Sequence, residues 1–286
     1  MSTQKAAIIT GGGLDVARAL AARGNWHVHI GSLSETAGTE AATSIGVAAT
    51  SHCVDVTSYD QLAALFSAMH AAHGRLDFVF ANAGVIDKTN FYEKVESLPP
   101  PPPPDGLSIE VNLRGVVGTV WLELHYMRAV RKGRGEQSVC VTSSCGGLYP
   151  TGFCPVYTGA KHGSVGFMRA VAKPFWVYDK IRVNAICPGT VRTGLMDEKS
   201  WDSFEGDLLT PVEKVREAVL QLLDGGDMVD AKGVRVSKDE VWGCAVEVNA
   251  DKHYFREQPE FCNEIMETVM RNTDVTESAN LVRGGS

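Results

Sequence analysis

Two kinds of segment are missing from this sequence. It contains no apolar run of about 18 residues, the length that spans a membrane. Its N-terminus also lacks the basic stretch followed by an apolar one that marks a secretory signal. We therefore expect a soluble, cytoplasmic protein.

Paired cysteines are also missing. The seven cysteines are odd in number, form no Cys-x-x-Cys pair, and include Cys140 and Cys187 inside apolar runs. This distribution favours reduced packing thiols over disulfides or zinc ligands. His27 and His29 alternate along a predicted strand, and we interpret them as residues that fill one face of a sheet. No metal is expected.

An excess of positive charge is absent too. The net charge is −7 and the pI is near 5.6, whereas nucleic acid and acidic membranes require a cationic face on their partner. Small molecules are therefore the expected ligands, with no nucleic acid and no membrane as partner.

The chain has no internal repeats, and its 286 residues, 44% apolar and 21% charged, can bury one large core. We predict a single domain over residues 1–286. The one low-complexity stretch is the run of six prolines at 99–104. Consecutive prolines favour polyproline II and cannot join a helix or a central strand, so we predict an exposed surface loop over 93–107.

Apolar runs typical of strands alternate with helical stretches along the chain. The predicted strands cover residues 6–10, 26–30, 51–54, 76–81, 138–142 and 181–186. The predicted helices lie near 16–23, 61–73, 107–131 and 158–177. This alternation predicts an α/β fold, a doubly wound parallel sheet with helices on both faces and a ligand site beyond the carboxyl ends of its strands.

A candidate acid/base centre follows the fifth predicted strand. Tyr157 and Lys161 are four residues apart, so they share one face of a helix. A neighbouring ammonium favours the phenolate and lowers the pKa of a phenol. Upstream, the apolar strand leads into Ser143 and Ser144, in a small-residue turn that can expose a hydroxyl to a substrate oxygen.

These residues, with four further segments at characteristic spacing, carry a resemblance to the short-chain dehydrogenase/reductase family, especially to fungal members similar to 15-hydroxyprostaglandin dehydrogenase. The further segments are Asp55-Val56, Asn82-Ala83-Gly84, Asn112 in Val-Asn-Leu-Arg-Gly, and the run from Pro188 to Thr193. The resemblance spans nearly the whole chain. It implies a Rossmann-like sheet of about seven strands, with the last at 241–248.

The resemblance also implies roles. Tyr157 would be the general acid/base, Lys161 would tune its pKa and bind a ribose, Ser144 would anchor the carbonyl, and Asn112 would support a proton relay. The family spacing selects Ser144 rather than Ser143. The implied dinucleotide site consists of Gly11, Gly13, Ser32, Asp55, Asn82, Gly84, Pro188, Gly189 and Thr193.

The first glycine turn departs from the family pattern. The family reads Thr-Gly-x-x-x-Gly-x-Gly, and this chain reads Thr-Gly-Gly-Gly-Leu-Asp-Val-Ala from residue 10. Either Asp15 and Ala17 replace two glycines, or about four loop residues are deleted and Gly13 is the last glycine; helical spacing favours the deletion. Both alignments weaken dinucleotide binding, because the turn presents N–H groups to pyrophosphate and Asp15 would repel phosphates.

A second departure concerns the ribose. NAD-dependent relatives place an acidic residue at the end of the second strand, where this chain has Ser32 and Leu33. Ser32 can bond a hydroxyl or a phosphate, so the sequence does not choose between NAD and NADP. The expected cofactor is NADP or NAD, or none at all.

Substrate recognition is expected from loops over the strand ends. We predict a lid within 193–240 and a C-terminal extension over 251–286. The apolar and aromatic candidates for the pocket are Tyr149, Phe153, Met196, Trp201 and Phe204, which suit a small hydrophobic molecule such as a secondary metabolite. The helices at 107–131 and 158–177 correspond to helices that pair across a two-fold axis in relatives, so a homodimer or homotetramer is expected.

Three functions remain open. The favoured one is acid/base catalysis by Ser144, Tyr157 and Lys161 on a carbonyl or enol without NAD(P), in an isomerisation, dehydration or cyclisation. The second is an NAD(P)-dependent oxidoreductase that interconverts a secondary alcohol and a ketone. The third, a non-catalytic binding protein, is disfavoured by the retained acid/base residues.

Overall fold

The computed structural model describes residues 4–94, 100–129, 137–195, 201, 204 and 206–277. In its first half, strands and helices alternate as β1 Lys5–Thr10, α1 Leu14–Ala22, β2 Trp26–Ser32, α2 Glu35–Ile45, β3 Ala49–Cys53, α3 Tyr59–His73 and β4 Phe78–Ala81. Ser34 and Ser58 begin α2 and α3 by accepting N–H bonds from Ala37 and Gln61, the usual role of serine at a helix N-terminus.

The middle of the chain contains the longest described helix, Pro155–Pro174, and two π turns. Its elements are α4 Leu107–Ile109, a π-helical turn Glu110–Gly115 and α5 Val116–Ala129, then β5 Ser138–Thr142, α6 Pro155–Pro174 with a second π turn Phe175–Asp179, and β6 Arg182–Pro188. The helix predicted near 107–131 is thus divided by a π turn in its described part.

The remaining elements are α7 Val212–Asp224, β7 Met228–Val229, β8 Arg235–Val236, β9 Ala245–Asn249, β10 Lys252–Phe255 and α8 Glu264–Asn272. The main sheet has eight strands in the order β10-β9-β6-β5-β4-β1-β2-β3. All neighbours pair in parallel except β9 and β10, which form an antiparallel hairpin. The predicted doubly wound, Rossmann-like α/β fold is confirmed, and the expected count of about seven strands is corrected to eight by β10.

The central strands are buried on both faces, as parallel sheets are when helices cover each side. Alternate residues of β1 enter opposite cores: Ala6 and Ile8 pack on the side of α3, α5 and α6, and Ala7 and Ile9 pack on the side of α1 and α7. The carboxyl ends of β1, β4, β5 and β6 consequently meet at one edge of a rigid sheet. Of the helices in the described ranges, none is both long enough and apolar enough to cross a membrane.

Candidate active site

The glycine turn joins β1 to α1 without a longer loop. Gly11 and Gly13 both have φ of 69°, a left-handed conformation that side chains other than glycine rarely adopt. A Cβ on Gly11 would lie 2.5 Å from the Cα of Ala83, and one on Gly13 would lie 2.8 Å from Ile9 Cγ2. Helix α1 begins at Leu14, directly after Gly13.

A groove of about 590 Å³ runs along the carboxyl ends of the strands. It is continuous from the glycine turn and the first residues of α1, at one end, to Tyr157 and Lys161. The predicted dinucleotide residues that line it are Gly11, Gly13, Asp55, Asn82, Gly84, Pro188, Gly189 and Thr193. Ser32 is not among the lining residues; Leu33, 73% exposed, lies there instead, while the Ser32 hydroxyl donates to the carbonyl of Ser34 at 3.0 Å.

Lys161 and Tyr157 lie on the same face of α6, as their spacing predicts. Lys161 is 2% exposed, and its Nζ donates to the carbonyl of Thr142 at 2.8 Å. The same Nζ lies 5.6 Å from the centroid of the Tyr157 ring. Ser144, just beyond β5, accepts an N–H bond from Gly146 at 3.0 Å and is hydrogen-bonded to Tyr157. The three side chains of the predicted acid/base centre are thus brought together.

The pKa of Tyr157 departs from the sequence-based expectation. Burial raises it to about 12, and the hydrogen bond with Ser144 only partly opposes that rise. Burial also lowers the pKa of Lys161 to about 8. Desolvation disfavours the charged form of both groups and is the largest cause of both pKa shifts. Tyr157 is therefore a protonated phenol at neutral pH.

Asp87 is a site residue that the sequence did not reveal. It lies five residues beyond Asn82, and its carboxylate accepts the N–H groups of Val156 and Tyr157 at 3.0 and 2.9 Å. It also accepts the hydroxyl of Ser108 at 2.5 Å. These bonds satisfy free donors at the start of α6, so Asp87 fixes the turn that carries Tyr157.

Asn112 lies in the π turn between α4 and α5 and is fully buried. Its side chain forms two bonds with the backbone of Val85: it accepts the N–H at 3.0 Å and donates to the carbonyl at 2.8 Å. A Cβ on Gly84 would lie 3.0 Å from Asn112 Oδ1 and 3.6 Å from Lys161 Nζ. Asn112 therefore anchors the segment after β4 next to the lysine, although it does not itself line the groove.

A short network holds Asn82 at the centre of the groove. The Thr10 hydroxyl accepts the N–H groups of Asn82 and Ala83 at 3.1 and 3.3 Å. The Thr142 hydroxyl donates to Asn82 Oδ1 at 2.9 Å. Asp55 both lines the groove and accepts bonds from the backbone and hydroxyl of Thr57, at 2.9 and 2.8 Å.

The predicted substrate residues lie elsewhere. The described members of the set do not line the groove, and Met196 falls outside the described residues. Tyr149 is held outside by its partners, because its hydroxyl donates to Glu247 at 3.0 Å and accepts from Arg256 at 2.6 Å. Phe153 is exposed, and Trp201 is buried with its ring centroid 6.1 Å from that of Phe204.

The comparisons with known proteins agree with this architecture. The family model described as "short chain dehydrogenase" matches residues 5–203. The chain belongs to the short-chain dehydrogenase/reductase family, which confirms the resemblance seen in the sequence.

Similar proteins come from fungi and animals. "Short-chain dehydrogenase/reductase prx7" of Penicillium rubens is 44% identical over 284 residues, which cover 96% of this chain and all of the relative. The 15-hydroxyprostaglandin dehydrogenase (NAD(+)) of Homo sapiens is 30% identical over 167 residues, 58% of this chain and 57% of the relative. The crystal structure of a 3-ketoacyl-(acyl-carrier-protein) reductase from Brucella melitensis complexed with NADH shares the fold, with a TM-score of 0.69 over 86% of this chain and 96% of its own, at 24% identity.

Proposed function

We propose that this protein is an NAD(P)-dependent oxidoreductase that interconverts a secondary alcohol and a ketone in a small hydrophobic molecule. The main support for this proposal is the continuous groove that joins the glycine turn to Tyr157 and Lys161. Relatives named for NAD(+) use and a similar fold complexed with NADH support the same conclusion. This proposal replaces the cofactor-free function that the sequence favoured.

Most of the length of the groove is suited to a dinucleotide. Gly12 leaves open space, since a Cβ there would meet only Asn82 Nδ2, at 4.0 Å. The first turn of α1, whose N-cap residue Gly13 provides no side-chain bond, lines the same space, and free N–H groups at a helix N-terminus attract phosphate. The opposing feature is Asp15, which places a carboxylate in that turn.

The residues that would hold the dinucleotide divide along the groove. Those proposed for its phosphates and adenosine are Gly11, Gly12, Gly13, Leu33 and Asp55, and those proposed for its nicotinamide half are Asn82, Gly84, Lys161, Pro188, Gly189 and Thr193. The bound dinucleotide supplies hydride transfer to or from the substrate carbon.

The chain's own residues perform the proton chemistry. Ser144 would donate a hydrogen bond to the carbonyl oxygen, and Tyr157 would give that oxygen its phenolic proton when a ketone is reduced. Because burial keeps Tyr157 protonated, it enters the reaction in the donor form. Lys161, still largely protonated at pH 7 with a pKa of about 8, stabilises the phenolate that proton transfer leaves behind.

A second candidate function is the cofactor-free acid/base reaction, an isomerisation, dehydration or cyclisation through the same Ser144 and Tyr157. Two observations favour it. Asp15, an acidic residue in the first turn of α1, lines the part of the groove proposed for phosphates, and Leu33 lines the part where an acidic residue would bind the ribose. Neither blocks the groove, so we rank this candidate second.

The deciding experiment is calorimetric titration of the cofactor-stripped protein with NADH and NADPH. We expect micromolar to submillimolar binding of at least one of them. The variant Leu33→Asp adds the missing carboxylate, and we expect it to raise the ratio of NADH to NADPH affinity about tenfold, or about 1.4 kcal/mol. Leu33→Asn is the uncharged control. Absence of binding up to millimolar dinucleotide, in the wild type and in Leu33→Asp, would refute the oxidoreductase and leave the cofactor-free reaction.

We also propose that residues 193–240 form the substrate-side cover of the groove. The residues of this segment that line the groove are mainly apolar, which suits a hydrophobic substrate. They are Thr193, Gly194, Leu195, Val212, Val215 and Arg216. Met196, Trp201 and Phe204 remain proposed lid residues, whereas Tyr149 and Phe153 do not line the groove and are not included in the cover. Leu195→Asp should raise the KM for a hydrophobic ketone more than it lowers kcat; an unchanged KM would contradict the cover.

An assembly of two or four copies is proposed as well. Helix α5 exposes Trp121 and Val117, the former at 66%, and large exposed apolar groups on one helix mark interaction surfaces. Light scattering of the eluted protein should give the mass of a dimer or tetramer, and Trp121→Glu should shift it to a monomer. A monomeric wild type would contradict this proposal.

A further inference from the structure

Four histidines gather at one end of the sheet, outside the groove. His27 and His29 lie on one face of β2, His52 on the neighbouring edge strand β3, and His73 is the last residue of α3, which packs on that face. None of the four lines the groove. His29 is buried, and the other three are partly exposed, so solvent reaches the cluster.

The ring nitrogens of three of them converge. His29 Nε2 lies 3.0 Å from His73 Nε2, and one ring nitrogen of each of His27, His29 and His73 lies within 4.8 Å of the others. The ring centroids of His27 and His73 are 4.7 Å apart. Zinc–nitrogen bonds of 2.0–2.1 Å at tetrahedral angles separate two ligand nitrogens by about 3.3 Å. The pair formed by His29 and His73 is already near that separation.

His52 provides a reason for the orientation of His29. His29 Nδ1 lies 2.9 Å from His52 Nε2. In the tautomer that donates this bond, the proton is on Nδ1 and the lone pair on Nε2 points toward His73. Metal-binding histidines are commonly oriented in this way, by a bond from their other ring nitrogen to a neighbouring acceptor.

The protonation state of the cluster also suits a metal. Burial lowers the pKa of all four rings, with that of His29 at about 3. Neutral imidazole is the form that binds a metal, and sets of imidazoles suit zinc, copper and nickel. Each neutral ring offers one nitrogen lone pair, which a divalent cation can accept.

We propose that His27, His29 and His73 bind one divalent transition-metal ion of the zinc class, with His52 orienting His29. The partly exposed ring of His27, whose Nε2 is now 2.9 Å from the Thr50 hydroxyl, moves toward the other two by up to about 1.5 Å to complete the set. A water molecule fills the fourth position. The ion links the end of α3 to β2 and takes no part in the carbonyl chemistry of the groove.

The sequence predicts no metal, because His27 and His29 are interpreted there as residues that fill one face of a sheet. His27 and His29 form a His-x-His pair, but His73 is 44 residues beyond His29 and reaches it only because α3 folds back over β2. The pair alone does not distinguish a metal ligand from a residue that fills a sheet face.

The test is a titration of untagged, chelator-stripped protein with Zn²⁺, followed by calorimetry. We expect one ion per chain with a micromolar or lower Kd, and at least tenfold weaker binding in His73→Gln. His125→Gln, which replaces an exposed histidine of α5 outside the cluster, should bind as the wild type does. At a free Zn²⁺ concentration one hundred times Kd, the Tm should rise by about 5 °C in the wild type and not in His73→Gln.

A second readout identifies the ligands. With Cu²⁺ as the probe, the electron paramagnetic resonance spectrum should show nitrogen couplings that decrease in number in His73→Gln. Circular dichroism of this variant should match the wild type, since His73 ends its helix at the surface. Absence of stoichiometric binding, or binding that is equally tight in His73→Gln, would overturn the proposal.

Discussion

Removal of the Asp87 carboxylate should destabilise the protein through the start of α6. In Asp87→Ala, the N–H groups of Val156 and Tyr157 lose their acceptor, a loss that costs about 0.5–2 kcal/mol at a helix N-terminus. The hydroxyl of Ser108, only 2% exposed, loses its partner as well, which costs about 1–3 kcal/mol when the group stays buried. We therefore expect a total decrease of about 1.5–5 kcal/mol in the free energy of unfolding.

Urea unfolding followed by circular dichroism measures this change as a lower midpoint at constant slope. Asp87→Asn retains one acceptor oxygen and should fall between the wild type and Asp87→Ala. Asp60→Ala is the matched control, because Asp60 is an exposed carboxylate in the first turn of α3 and should change stability by about 0.5 kcal/mol or less. If Asp87→Ala were no more destabilised than Asp60→Ala, Asp87 would not stabilise the start of α6 and the reasoning would be refuted.

Three further changes test the groove. Tyr157→Phe should lower kcat about 10²-fold or more in a ketone-reduction assay, because the proton donor is lost; an unchanged kcat would exclude that role. Lys161→Met should raise the free energy of unfolding at pH 7 by about 1–3 kcal/mol. The reason is that burial lowers the pKa of Lys161 from 10.5 to about 8, so between these values the unfolded chain binds more protons at this residue and the cost of burying its charge falls as pH rises. Burial raises the pKa of the Cys154 and Cys187 thiols, which lowers the stability of both proteins as pH rises. The stability that the variant gains over the wild type should therefore be smaller at pH 10 than at pH 7 in urea unfolding, and a variant less stable than the wild type at pH 7 would contradict the assignment. Gly13→Ala combines φ of 69° with a 2.8 Å clash against Ile9, whereas Gly24→Ala has φ of 76° and open space. Gly13→Ala should therefore be destabilised by about 1 kcal/mol more than Gly24→Ala in urea unfolding. Equal losses of stability would show that the contact with Ile9 has no effect.

Much of the sheet could be predicted because its central strands are apolar on both faces. The predicted strand at 138–142 coincides with β5, whose residues are nearly all buried. Helix α2 was missed because its only buried residue is Gly38, so it has no apolar stripe to signal a helix. Strand β10 was missed because its hairpin turns at Ala250, a non-glycine residue with φ of 49°, where no glycine marks the turn.

The sequence allowed prediction of those candidate site residues that lie close together along the chain. Tyr157 and Lys161 belong to one helix, and the family spacing supplied Ser144. Asp87 could not be predicted, because it acts on a helix start 70 positions later in the chain. The pKa of Tyr157 was predicted in the wrong direction because the sequence shows the neighbouring charge and not the depth of burial.

The π turn at Glu110–Gly115 has a consequence for how this chain tolerates changes in length. A π turn holds about one residue more than an α-helical turn, so α4 and α5 face the directions that an α-helix one residue shorter would give them. Deletion of the exposed Arg114 within this turn would therefore convert it into an α-helical turn and leave the apolar face of α5 on the sheet. A deletion in the middle of α5 would instead rotate the rest of that face by about 100°. A single-residue deletion should therefore be tolerated better at Arg114 than within α5.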